Sequence, residues 1–269
     1  MSNHYIFLAI WVISDIKTSS ITWGAHSTDG NGYRGRLHDL LTARGNKVDF
    51  VGGTSTGTMA DNDHEGHRGF EIDAIRQAST VGIYTAPNIA LVHAGANDMK
   101  YIQDETELAN TPERLGNLID DILKYSPDAL VLVCQIIPAS PVNYLNTATR
   151  IPDFNTAVSN LVAKYGKDQE VLLVNMNEAV SVDELFDGLH PNNIGYGNMA
   201  DKFYTAIEDV DGQGLISKPG TPTDVPTGTN PNECKPTPSW YRVPDPIALG
   251  ASVYATFLAI AHHLPLHHV

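Results

Sequence analysis

The chain is poor in positive charge, poor in cysteine and without any long apolar run. Among its 269 residues, 17 Lys and Arg stand against 31 Asp and Glu, a formal net charge of −14 at pH 7. That balance excludes sequence-independent nucleic-acid binding, which needs cations against phosphates. It also speaks against docking on an anionic membrane surface. A neutral substrate such as a sugar ester stays open. Two cysteines, Cys134 and Cys234, exclude a disulfide scaffold and a cysteine-rich zinc module. Cys134 sits in the apolar run Ala129 to Ile137 and reads as a small buried hydrophobe. No run reaches the roughly 18 apolar residues of a membrane span. Tyr5–Ile13 is apolar enough to imitate the core of a signal peptide, but no Lys or Arg precedes it, and Ser14-Asp15-Ile16-Lys17 is a poor cleavage site. It reads as a buried first strand. With 42% hydrophobic and 18% charged residues, the chain can build a sizeable core, and wholesale disorder is excluded.

Five short runs rich in Val, Ile and Leu recur at Tyr5–Ile13, Val48–Gly52, Ile89–Ala94, Ala129–Ile137 and Val171–Met176. They do not alternate strictly, which is the pattern of strands covered on both faces. Helical segments lie between them: Tyr33–Arg44, Glu71–Ala78, Thr106–Tyr125, Pro152–Tyr165 and Asn193–Glu208. The clearest is Thr106–Tyr125, with Leu108, Leu115, Leu118, Ile119, Ile122 and Leu123 on one stripe. The alternation predicts an α/β fold, a five-stranded parallel sheet between two helical layers. Ligands of such sheets sit beyond the carboxyl ends of the strands. The expected organisation is a domain over 1–211, a Pro/Thr/Gly-rich linker over 212–246 and a short tail over 247–269. His262, His263, His267 and His268 in that tail have no acids or cysteines beside them and read as a loose end.

Chemistry is therefore sought after each apolar run. The first is followed by Thr18-Ser19-Ser20-Ile21-Thr22-Trp23-Gly24. A serine in a strand-to-helix turn exposes its hydroxyl and aims its own N–H at the same reacting atom. The third ends in Gly95-Ala96-Asn97-Asp98, where the Asn97 amide suits an oxyanion, or else caps the next element. The fifth leads to Asp187-Gly188-Leu189-His190-Pro191. Asp and His three apart in a rigid turn set a carboxylate beside an imidazole; a plain surface turn is the other reading. Asp61 to Gly69 resembles a metal site in composition, but His64 and His67 are three apart where the zinc-protease motif needs four. Gly69 instead allows a backbone N–H to approach a ligand closely.

Taken in order, these blocks resemble the SGNH (GDSL-type) hydrolases, and within them the secreted esterases of carbohydrate esterase family 3, which include acetyl xylan esterases. The carrying residues are Ser-Ile-Thr-Trp-Gly (20–24), Asp-Gly-Asn-Gly-Tyr-Arg (29–34), Val-Asp-Phe-Val-Gly (48–52), Asp-His-Glu-Gly-His (63–67), His-Ala-Gly-Ala-Asn-Asp-Met (93–99) and Asp-Gly-Leu-His-Pro (187–191). The resemblance covers about residues 5–208 and implies a flavodoxin-like SGNH hydrolase fold. It implies Ser20 as nucleophile, His190 as general base and Asp187 orienting His190. It implies an oxyanion hole from the N–H of Ser20, the N–H of Gly69 and the side chain of Asn97. It further implies no cofactor or metal, an acyl ester or acetylated polysaccharide as substrate, and an extracellular location; a monomer is expected, as no heptad argues for assembly. The chain departs from the pattern in one place: Thr18 and Ser19 stand where the family has Gly and Asp before the serine. An impaired domain that binds carbohydrate is thus the alternative. A nucleotide-binding protein on the same sheet is disfavoured, because no Gly-rich phosphate loop follows the first strand.

Overall fold

A computed structural model describes residues 7–16, 21–79, 82, 84–165 and 171–221. Seven strands form one sheet: β1 (Phe7–Ile16), β2 (Lys47–Val51), β3 (Thr54–Ser55), β4 (Asp63–Arg68), β5 (Ile89–His93), β6 (Leu130–Cys134) and β7 (Val171–Val174). The five expected strands are all present and run parallel in the order β2-β1-β5-β6-β7. β1 changes neighbour along its length. Residues 7–11 pair with β2, whereas residues 13–16 pair with β4. The short β3 closes antiparallel onto β4.

β5 and β6 are buried at every position, in keeping with their mainly Val/Leu/Ile composition. Among the helices, α1 (Tyr33–Ala43) packs on α7 (Asn193–Asp211), while α2 (Ile72–Ala78) packs on α5 (Thr111–Tyr125) and α5 on α6 (Leu145–Val162). Two short helices follow β5: α3 (Ala96–Tyr101) and α4 (Glu105–Ala109). The stripe of α5 works as the periodicity predicts, burying Leu115, Leu118, Ile119 and Ile122. Asn192 caps α7 by accepting the N–H groups of Ile194 and Gly195, a common use of asparagine at this position. Cys134 is buried as expected; Cys234 lies outside the described residues. No helix among the described residues is long and apolar enough to cross a membrane.

Three expectations need correction. The stretch 106–125 is two helices, because Asn110 ends α4 and begins α5, with Pro112 in the first turn of the second. α6 starts at Leu145, seven residues before Pro152, which lies inside it. Arg150 holds that early part in place, its Nη1 donating to the carbonyls of Met99 and Ile102. And Asp63–Arg68, to which the sequence pattern assigns no element, is a strand. Farther on, residues 213–221 follow α7: Leu215 and Ile216 pack on the core, and the N–H of Gly220 donates to the Ala86 carbonyl. Residues 222–269, with most of the expected linker and all of the tail, lie outside the described residues.

β4 buries polar side chains. His64 is fully buried. The N–H of Gly66 donates to its Nδ1 at 2.9 Å, so that nitrogen carries no proton, and Nε2 donates to Thr56 Oγ1 at 2.7 Å. Thr56 passes its own proton to the Trp23 carbonyl. Burial, then the Arg34 charge, push His64 down to about 2. His93, at the end of β5, is fully buried with neither ring nitrogen bonded among the described residues, and burial pushes it down to about 4. Both histidines stay neutral in the fold, while an unfolded histidine takes up a proton near 6.5. Stability is therefore expected to fall as pH drops below that value, by about 1.4 kcal/mol per pH unit for each histidine. Urea unfolding at pH 6.5 and pH 5 checks this. The His93→Leu variant should lose about 2 kcal/mol less than the parent over that interval.

Candidate active site

Gly69, Asn97 and the Asp187–His190 loop follow the carboxyl ends of β4, β5 and β7. β1 ends at Ile16, and Ser20 follows in a segment, 17–20, that lies outside the described residues together with Thr18 and Ser19. The chain is described again from Ile21, which is fully buried. Gly69 follows directly on β4 with φ 91°, a conformation that L side chains rarely adopt. Asn97 is fully buried in α3 and is no cap: Gly95 takes that position. Asn97 Nδ2 donates to the Phe70 carbonyl at 2.7 Å, which ties the end of β5 to the turn that holds Gly69.

Asp187 and His190 lie in a tight loop. Leu185 bridges Pro191, and the Phe186 N–H donates to the His190 carbonyl at 2.7 Å. Gly188, at φ 88°, packs so closely on Ser140 and Asn143 that a Cβ there would come within 2.8 Å of Asn143 Nδ2. The loop is clamped from outside as well, by the Ser140 N–H on the Gly188 carbonyl and by Asn143 Nδ2 on the Asp187 carbonyl. Inside it, Asp187 Oδ1 accepts the N–H groups of Leu189 and His190 at 3.0 and 2.8 Å. Its Oδ2 lies 2.7 Å from His190 Nδ1. Partial burial pushes the Asp187 carboxyl up, but the His190 N–H and imidazole outweigh it and hold the group below the usual carboxylate range. An ionised Asp187 requires the proton on Nδ1, which leaves Nε2 as the basic nitrogen of a neutral ring. For His190, burial lowers the pKa more than Asp187 raises it, so the ring is a base at neutral pH.

Two features escaped the sequence reading. His26, in the left-handed conformation at φ 62°, stacks on Phe186 with ring centroids 4.4 Å apart. Its Nε2 lies 3.6 Å from Asp187 Oδ2. Nothing in Ala-His-Ser-Thr signals this, since only the fold brings residue 26 to residue 187. The second is Arg34, fully buried, which donates to the carbonyls of Thr22, Asn62 and Thr56 at 2.9, 3.0 and 2.9 Å. It ties the segment after Ser20 to the β3–β4 hairpin. Gly24 completes this joint: at φ 84° it packs on Gly30, whose carbonyl oxygen would lie 2.1 Å from any Cβ. The histidines of β4 do not gather into a metal site. His64 is held by Thr54, Thr56 and Gly66, and His67 Nε2 lies 2.5 Å from Glu65 Oε1.

Among solved structures, the chain is similar to a family 3 carbohydrate esterase from Clostridium thermocellum, with 26% identity and a TM-score of 0.63 over 78% of this chain and 100% of that one. It is similar in fold to a family 3 carbohydrate esterase from Talaromyces cellulolyticus, with 22% identity and a TM-score of 0.62 over 77% and 99%. An acetyl xylan esterase from Geobacillus stearothermophilus shares the fold at 16% identity, with a TM-score of 0.54 over 77% and 97%. No curated protein matches the sequence. Residues 19–197 match the model of the GDSL-like lipase/acylhydrolase family. That span holds Ser20, Gly69, Asn97, Asp187 and His190 together, and the chain belongs to this family.

Proposed function

We propose that the chain is a serine esterase that removes small acyl groups, acetyl above all, from carbohydrate esters such as plant polysaccharide. The observation that carries this reading is the Asp187–His190 pair. A buried imidazole is oriented through Nδ1 by an ionised carboxylate, within a chain that belongs to an acylhydrolase family. Ser20 is the nucleophile. Its Oγ bonds to the ester carbonyl carbon as its proton passes to His190 Nε2. The resulting oxyanion is held by the N–H of Ser20, the N–H of Gly69 and the Asn97 amide. The ester C–O bond then breaks, and the alcohol leaves with the proton from His190. Water repeats the sequence on the acyl-enzyme and releases the acid. Neither cofactor nor metal enters any step. The carbohydrate ester comes from the likeness to the Clostridium thermocellum esterase, and the acetyl preference from the likeness to the Geobacillus stearothermophilus acetyl xylan esterase. The enzyme acts outside the cell and as a monomer.

The test is hydrolysis of p-nitrophenyl acetate by the full chain beside Ser20→Ala, with p-nitrophenyl butyrate to read acyl length. Turnover that vanishes in the variant supports the reading. A parent no faster than Ser20→Ala overturns it, and favours a domain that binds carbohydrate, disabled at Thr18-Ser19. A further expected result concerns Asn97. Replacing it by alanine removes one oxyanion donor and should lower kcat by roughly 10²- to 10³-fold with little change in KM. Steady-state kinetics on p-nitrophenyl acetate check it.

A further inference from the structure

Three metal-ligating side chains meet at the active-site edge, and the esterase chemistry uses only two of them. His26, Asp187 and His190 each offer one donor atom, and these atoms lie within 4.8 Å of one another. They are the only such group among the described residues. The individual spacings are 3.6 Å from His26 Nε2 to Asp187 Oδ2 and 2.7 Å from Asp187 Oδ2 to His190 Nδ1. A tetrahedral zinc ion with bonds of about 2.0–2.1 Å sets its ligands roughly 3.3 Å apart. The printed spacings bracket that value, and the Asp187 carboxylate must swing aside from the His190 Nδ1 lone pair to admit the ion. Two imidazoles and a carboxylate form a donor set that suits zinc or copper, and not calcium or magnesium.

The site is open to solvent from one side. The side chains of His26 and Asp187 are 34% and 29% exposed, whereas His190 is buried beneath them. His26 is also set in place in advance. Its left-handed backbone and its stacking on Phe186 hold the ring beside Asp187.

We propose that His26, Asp187 and His190 form an inhibitory binding site for a divalent transition-metal ion such as Zn²⁺. The ion bonds to His26 Nε2, Asp187 Oδ2 and His190 Nδ1, with water completing its shell. His190 must then give up its Nδ1 proton and carry a proton on Nε2 instead, so the ring stays neutral but in the opposite tautomer. Nε2, now an N–H, cannot accept a proton from a serine hydroxyl. Asp187 at the same time exchanges its hydrogen bond to the imidazole for a bond to the ion. Binding and turnover are therefore mutually exclusive. The inhibition rests on the esterase reading proposed above; the binding does not.

The full chain is titrated with Zn²⁺ against a chromophoric chelator, beside the His26→Asn variant. Asparagine tolerates the left-handed backbone but offers no imidazole. The tail histidines are common to both proteins and drop out of the difference. The parent is expected to bind one more zinc ion than the variant at micromolar concentration. Loss of an outer-shell partner alone weakens metal binding by roughly 10–100-fold, so loss of a direct ligand should raise the zinc concentration for half-inhibition of p-nitrophenyl acetate hydrolysis by at least that factor. Each protein is normalised to its own zinc-free rate, and a chelator should restore the parent. Equal zinc stoichiometry in parent and variant overturns the proposal. Zinc binding without inhibition of an active parent overturns its inhibitory part. A parent without esterase activity leaves the titration to decide the binding by itself. Anomalous scattering at the zinc edge from soaked crystals gives a reading that needs no variant: a peak between the three side chains supports the site, and its absence rules the site out.

Discussion

Alanine in place of His190 is expected to lower kcat for p-nitrophenyl acetate by roughly 10⁴- to 10⁶-fold, with KM little changed. In the proposed mechanism the imidazole takes the proton of Ser20, and among the described residues it is the ring that Asp187 orients. His26 is the nearest substitute, but it faces Asp187 Oδ2 from the exposed side, 3.6 Å away. Because nucleophile and base act as a unit, the Ser20→Ala/His190→Ala double variant should be no slower than the slower of the two single variants. Asp187→Asn should lose roughly 10⁴-fold, since an amide no longer enforces the proton on Nδ1. Additive losses in the double variant would show that His190 does not act through Ser20. Single-turnover measurements of acyl-enzyme formation give the sharpest reading.

The largest expected effect on stability belongs to Arg34. Its guanidinium donates to three loop carbonyls and to Thr56 Oγ1. Burial lowers its pKa to about 10, so it stays charged at neutral pH. Arg34→Met keeps the volume and removes the guanidinium bonds to all three carbonyls, of which that of Asn62 keeps the Thr56 N–H. A hydrogen bond to a charged group contributes about 1.5–3 kcal/mol, so loss of several should destabilise the variant by at least about 3 kcal/mol. For a fold of this size the melting temperature would drop on the order of 10 °C. Arg34→Lys should recover only part of this, because a single ammonium cannot reach the carbonyls of Thr22, Thr56 and Asn62 together. Urea unfolding of the parent and both variants decides the matter. Esterase turnover should fall even where Arg34→Met is still folded, since Thr22 lies two residues after Ser20.

The parts of the fold that were legible in the sequence are those whose burial is apolar. β5 and β6 are covered on both faces, and their Val and Leu runs show it. β4 was not legible, because its buried positions are His64, Glu65 and Gly66. Their burial is offset by hydrogen bonds with Gly53, Thr54 and Thr56, partners that no periodicity connects to them. The first turns of α6 were missed for a related reason. Leu-Asn-Thr-Ala-Thr has weak helix propensity, and contacts from Arg150 to Met99, Ile102 and Glu105 override it. Within the site, Asp187 and His190 were legible because they are three residues apart in one loop. The position of Asn97 beyond the third apolar run was legible too, whereas that of Gly69 at the end of a strand was not. His26 was not, since its only relation to Asp187 is through space.

Asn155, on α6, brackets the backbone of Ile136 just beyond β6. Its Oδ1 accepts the Ile136 N–H at 2.8 Å, and its Nδ2 donates to the Ile136 carbonyl at 2.9 Å. A side-chain amide thus stands in for a neighbouring strand at the point where the ladder between β6 and β7 has ended. The protection of that single amide proton against deuterium depends on the docking of a helix rather than on the melting of a sheet. Its exchange is a clock for the lifting of α6, running independently of the strands beside it.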